Sequence, residues 1–413
     1  MTLEAPQSTS PCRPLEQPPT SCHHQRQASH YRAPVPSHRR ASSVTPQILR
    51  RRVAAVGGAV VVVGGVIAGV LLAGHHSPKP VASSSTSAPT TVSHATRSGR
   101  CPLTDLPAPG GKVPQRVPLA VKIGNEPGPE AGGLGAARPQ SGLNEADIVY
   151  DTPAEGGIMR YVAVYQCHNA SSIGPVRSLR WVDWHILAEF RMSILAHVGG
   201  IVPDVTALDK LPYVADANAF TYPNAYHRIS NRVAPDNDYT STQALWALFK
   251  GPKFDQAPAP VFQYTPALPS GAKPVRQVGI NFSAGTDAVW RWDPTTKQFL
   301  HFYGSTPDVD TLTNQQVSTT NIFIQIVRYS FGPYPESPGS TGDVESVTTG
   351  SGPGFVLRDG EMIPVTWHRP TLSDGTTFTN AKGQEVGLAP GRTWVEMVLN
   401  STAKVPGAIT FTS

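Results

Sequence analysis

The chain has 413 residues, enough for two or three domains, and its 41 prolines and 37 glycines mark much of it as loop or linker. The formal charge is +5, but residues 1–73 hold eight arginines and two glutamates, which leaves 26 basic against 27 acidic side chains in the rest. A folded part so close to neutral lacks the basic footprint of a nucleic-acid binder, so no nucleic acid is expected as a partner.

Residues 1–52 are rich in Pro, Ser, Gln and His and bury too little apolar surface to fold, so this tail reads as disordered. Residues 53–73 contain no polar side chain. About 20 apolar residues, at 1.5 Å rise each, cross the roughly 30 Å hydrocarbon core of a bilayer. Arg50, Arg51 and Arg52 abut this run and place the tail in the cytoplasm, which predicts a single-pass membrane protein with its folded domains outside. A cleaved signal peptide is the alternative, and the long preceding tail argues against it. The Gly65-x-x-x-Gly69 spacing permits close helix approach, but it arises easily in a glycine-rich anchor. Residues 74–113 form a low-complexity stalk. Cys12 and Cys22 lie in the tail. Cys101 and Cys167 are the two cysteines on the outer side, where a disulfide between them and a buried free thiol at Cys167 are both compatible with the sequence.

Strands are predicted at 118–123, 146–150 and 161–166. A helix over 179–190 places Trp181, Trp184, Ile186, Leu187 and Phe190 near helical spacing. A strand at 193–198 and short helices at 205–211 and 241–250 complete a mixed α/β domain over 114–250. A proline-rich linker follows at 251–274. Beyond it, a hairpin (288–292 with 299–303), a long apolar strand at 321–329, and strands at 344–349, 354–357, 362–369 and 393–399 predict a smaller, mostly β domain over 275–413. The fold class is α+β, behind one transmembrane helix.

The chain contains no G-x-S-x-G, H-E-x-x-H, P-loop or C-x-x-C motif, and no metal or cofactor is expected. Gly350-x-Gly352-x-Gly354 lacks the strand-to-helix context of a nucleotide fingerprint and reads as a turn between strands. His185 and Glu189, four apart on the predicted helix, read as a solvated or capping pair. Polar residues instead concentrate in glycine- and proline-bearing loops of the first domain. There Arg138, Glu155, Arg160, Arg177 and His197, with Asn237 and Tyr239, are expected to line one concave surface. Arginines in such loops bind carboxylates or phosphates bidentately, or pair with Glu145, Asp147, Asp151 or Glu155. If Arg177 serves a ligand, Arg177→Ala should leave stability nearly unchanged.

The same loops carry a resemblance. Arg138-Pro-Gln-Ser-Gly-Leu143, Ala146-Asp-Ile-Val-Tyr150, Glu155-Gly-Gly-Ile-x-Arg160 and Ile173-Gly-Pro-Val-Arg-Ser178, with Gly391-Arg-Thr-Trp-Val395 later, resemble the YerB-like bacterial lipoprotein family, a domain of unknown function (DUF 3048). The resemblance spans roughly residues 114–400 and implies a two-domain cell-envelope protein of uncharacterised activity; it supplies no catalytic residue. No lipobox cysteine follows the apolar run, so a membrane helix is expected in place of the lipid anchor. The family's Ala-Pro-His-Asn run is Ala234-Pro235-Asp236-Asn237 here. Two functions follow as expectations. One is an envelope module binding an anionic or sugar-containing ligand. The other is an envelope-polymer hydrolase or lyase using Glu155 or His197 as the acid–base group, which requires both near one substrate position.

Overall fold

The computed structural model describes residues 97–128, 136–282, 286–335, 339 and 341–413. The tail and the expected membrane segment at 53–73 lie outside them, as does most of the stalk. Among the described residues no helix is long and apolar enough to cross a membrane.

The first half supplies five strands to one large sheet: β1 (Leu119–Ile123), β2 (Ile148–Pro153), β3 (Met159–Tyr165), β4 (Ser193–His197) and β5 (Val214–Asn218). Three helices accompany them: α1 (Trp181–Leu187), α2 (Val202–Leu208) and α3 (Thr242–Leu248). β1 runs parallel to β4, and β4 to β5, while β3 lies antiparallel between β1 and β2. Strands β1 to β4 are buried on both faces, which explains their near-continuous apolar sequences.

The period-2 alternation sorts these strands onto two cores. Leu119, Val121, Ile123, Tyr161, Ala163, Tyr165, Ile194 and Ala196 face one side. They pack with α3 and with Val278, Ile280, Trp290 and Phe299 of a second, six-stranded sheet. Ala120, Val162, Val164 and Leu195 face the other side, against Val182, Ile186 and Leu187 of α1. Each such aliphatic side chain, fully buried, contributes about 1.5–3 kcal/mol.

The second half is mostly β, as expected. Its strands Thr377–Thr379, Glu361–Arg369, Gly350–Arg358, Asn321–Val327 and Thr393–Leu399 continue the large sheet in that spatial order, and Thr393–Leu399 pairs in parallel with β2. The two halves therefore share one 11-stranded sheet, and the described residues fall within one compact unit, 86–413. The segment 251–274 is packed: Val261, Phe262 and Tyr264 are buried, and the Tyr264 hydroxyl donates to Leu103 O.

Local readings shift in three places. The helix expected at 205–211 starts earlier, at Val202, where Pro203 occupies the first turn without needing an N–H partner. β5 is a strand the sequence does not announce, because Asp216 and Asn218 interrupt its apolar pattern. The Gly350-x-Gly352-x-Gly354 run is not a turn but the start of a nine-residue strand. A Cβ on Gly352 would sit 2.8 Å from the Trp367 indole nitrogen, so the missing side chain lets the tryptophan lie across the strand.

Candidate functional site

β1, β2, β4, β5, Asn321–Val327 and Thr393–Leu399 all point the same way, and ligands in open α/β sheets bind beyond the carboxyl ends of such strands. Here the carboxyl end of β1 carries Gly124, Asn125 and Glu126. Gly124 is needed for the close approach, since a Cβ there would lie 2.8 Å from Glu126 Oε2 and 2.9 Å from Arg177 Cγ.

Ionic groups converge on this end. Glu126 Oε1 accepts from Arg160 Nε at 3.1 Å and from Arg177 Nη2 at 3.1 Å, while Arg177 Nη1 donates to Asp236 Oδ1 at 2.7 Å. Burial alone would raise the Glu126 carboxyl, but the two guanidiniums hold it below its usual range. Glu155 pairs with the fully buried Arg180 at 2.7 Å. Two residues before Gly124 on β1, Lys122 points towards α1 and donates to Asp183 Oδ1 at 2.7 Å and to Thr152 Oγ1 at 2.9 Å. Asp183 also accepts from the Arg180 backbone N–H, capping α1.

Beside this ion-pair chain lies a cluster of atoms without partners. Arg138 stacks over the Tyr303 ring, 3.4 Å from its centroid, and donates through Nε to Asn125 Oδ1 at 2.9 Å. It makes no ion pair among the described residues, and its buried Nη2 is unpartnered. Arg160 Nη1, Asn125 Nδ2 and Gln140 Oε1 are likewise buried without a hydrogen-bond partner among the described residues. Tyr303 also donates to Asn125 Oδ1, at 2.8 Å, and its hydroxyl lies 2.9 Å from that of Tyr161.

Below them Asp151 and Glu396 sit opposite each other on paired parallel strands. Asp151 Oδ1 and Glu396 Oε2 are both buried and receive no donor among the described residues. Burial first, then the Glu396 carboxyl, keeps Asp151 far above the usual carboxylate range; burial raises Glu396 as well.

Of the seven residues expected to share a surface, Arg138, Arg160 and Arg177 meet at Asn125 and Glu126, while Glu155 pairs with Arg180. His197 is fully buried and belongs to another network, with Asp216 Oδ1 and Gly199 O each 2.8 Å from a ring nitrogen. Glu155 and His197 share no partner. Asn237 accepts from Arg228 Nη1 at 2.7 Å, and the Tyr239 ring packs against Gly174. Sequence reasoning missed Asn125, Glu126, Arg180, Tyr303 and Glu396; the polar pair directly after the β1 run was the available signal. Asp151 entered it only as a partner for an arginine. Cys101 and Cys167 form a disulfide, Cα atoms 5.9 Å apart, tying the start of the folded unit to the end of β3.

Among the described residues no group of three or more His, Cys, Asp or Glu side chains is placed to hold a metal ion. A cleft of about 880 Å³ lies elsewhere, at α3 and Leu312–Thr313. Its arginine, Arg116, is already engaged with Gln166 O, His168 O and Asn169, and it stacks on Trp246.

The fold is shared with known proteins. Residues 103–255 match the family described as protein of unknown function (DUF3048) N-terminal domain, and residues 278–395 match the corresponding C-terminal domain. A curated relative, "Putative lipoprotein YerB" of Bacillus subtilis (strain 168), is 29% identical over 310 residues, covering 72% of this chain and 86% of its own. The crystal structure of YerB protein from Bacillus subtilis superposes with a TM-score of 0.62 at 24% identity, over 76% of this chain and 99% of that one, and shows the same fold. The chain belongs to the DUF3048 family, with its N- and C-terminal domains both present.

Proposed function

We propose that this protein is a membrane-anchored cell-envelope module that binds an anionic ligand at the carboxyl end of β1. The envelope placement rests on the lipoprotein name of its relative and on the arginine-flanked apolar run at 53–73. The observation that carries the binding reading is Arg138. It is a guanidinium with no carboxylate bonded to it among the described residues, with one buried nitrogen unpartnered, beside the unpartnered Arg160 Nη1 and Asn125 Nδ2. Buried donors in this state cost free energy until an acceptor fills the gap, and an anion supplies several acceptors at once.

Calorimetric titration of the full chain in detergent with inorganic phosphate tests the site. Saturable binding that weakens at least about tenfold in Arg138→Gln is expected. No saturable anion binding up to about 10 mM would sink the reading. For the anchor, protease added to spheroplasts should digest residues after 76 and spare the tail; a protected folded unit would reverse the orientation.

A further inference from the structure

The unpartnered atoms are of two kinds. Asn125 Nδ2, Arg138 Nη2 and Arg160 Nη1 are donors, whereas Gln140 Oε1 is an acceptor. The orientation of both amides is fixed by their other contacts. Gln140 Nε2 donates to Gly124 O at 3.1 Å and Asn125 Oδ1 at 3.1 Å, so its oxygen is the atom left without a partner. Asn125 Oδ1 receives Arg138 Nε, Tyr303 Oη and Gln140 Nε2, so its NH₂ group is the one left without a partner. Both side chains are fully buried, and Arg138, Gln140 and Tyr303 all meet on Asn125 Oδ1. The Asp151–Glu396 pair does not enter the count, because the two acids sit opposite each other across paired strands.

A bare anion offers acceptors only; it answers the guanidiniums and leaves Gln140 Oε1 bare. A hydroxyl both accepts from Asn125 Nδ2 and donates to Gln140 Oε1. We therefore propose that the ligand is an anion carrying hydroxyl groups next to its charge, of the polyol-phosphate, sugar-phosphate or hydroxy-acid class. The acid group lies against Arg138 and Arg160, and a hydroxyl lies between Asn125 and Gln140. Tyr303 comes from the second half of the chain, so the site is complete only when both halves are present. This inference rests on the anion-binding reading above and adds the chemistry next to the charge.

The experiment compares matched ligands that differ only in hydroxyls, titrated calorimetrically into the full chain: glycerol 3-phosphate against propyl phosphate, and glycerate against propionate. Whichever acid group binds, its hydroxylated member should bind at least about tenfold tighter, the increment of one or two hydrogen bonds. The pair showing the effect identifies phosphate or carboxylate as the natural acid. Gln140→Met should reduce the ratio to about twofold or less. Equal affinities within both wild-type pairs would overturn the proposal and assign the unpartnered amide atoms to ordered water, with anion binding intact. Failure of every anion, inorganic phosphate included, would remove the anion reading itself. The wild-type ratios decide the matter even if the variant does not fold.

Discussion

Lys122 offers the sharpest test of how this sheet tolerates charge. It and Asp183 are both completely buried, 2.7 Å apart, in the apolar layer between β1 and α1. Burial pushes the ammonium below its usual range, against the pull of Asp183, so desolvation exceeds what the partner returns. Lys122→Met should then leave Asp183 as an uncompensated buried charge and cost about 3–5 kcal/mol. At about 2–4 °C per kcal/mol for a domain somewhat smaller than this one, the melting temperature should fall by roughly 6–20 °C. Combining Lys122→Met with Asp183→Asn removes both charges while keeping an oxygen to cap the Arg180 N–H, and should recover most of the loss. A double-mutant cycle read by thermal melting isolates the pair. A single Lys122→Met variant melting within about 2 °C of wild type, equivalent to about 1 kcal/mol, would refute the reasoning.

Arg177 bridges Glu126 and Asp236, so Arg177→Ala should cost about 3 kcal/mol in chemical denaturation, in place of the small loss expected of a residue that serves only a ligand. Asp204 lies beside Asp343, and burial, together with that neighbour, raises its pKa to about 8. Its folded pKa lies above its unfolded one, so the stability it contributes is complete below about pH 4 and is lost as pH rises towards 8. Melting temperatures across that range should fall more steeply for wild type than for Asp204→Asn, and parallel profiles would reject the assignment. Reducing Cys101–Cys167, which are separated by 66 residues, should cost about 4 kcal/mol by loop entropy, visible as a lower melting temperature with a phosphine reductant.

The strands at the centre of the sheet are legible because burial on both faces forces near-continuous apolar runs, as in β1, β3 and Asn321–Val327. β5 is not, since its existence is decided by pairing with β4 and its own residues include Asp216 and Asn218. The glycines of Gly350–Arg358 mislead for a similar reason: their meaning is set by Trp367 on the neighbouring strand. In the site, the arginines stand out in their glycine- and proline-bearing loops. Tyr303 does not, because it lies 178 residues from Asn125 and no local pattern connects them. His197 reads as a candidate acid–base group by composition alone, and its two hydrogen bonds show it tying β4 to β5 and the following glycine turn.

The parallel pairing of β2 with Thr393–Leu399 also sets a schedule for synthesis. The ribosome delivers β2 long before the strand that closes its free side. Until residue 399 has emerged, the nascent first half carries an open, apolar β edge, the feature through which incomplete chains pair with one another. A truncation that stops at the boundary between the two family segments leaves that edge permanently uncovered. Such a fragment should aggregate, and adding the second half as a separate chain rescues it only if the missing strand reaches the edge before another copy does.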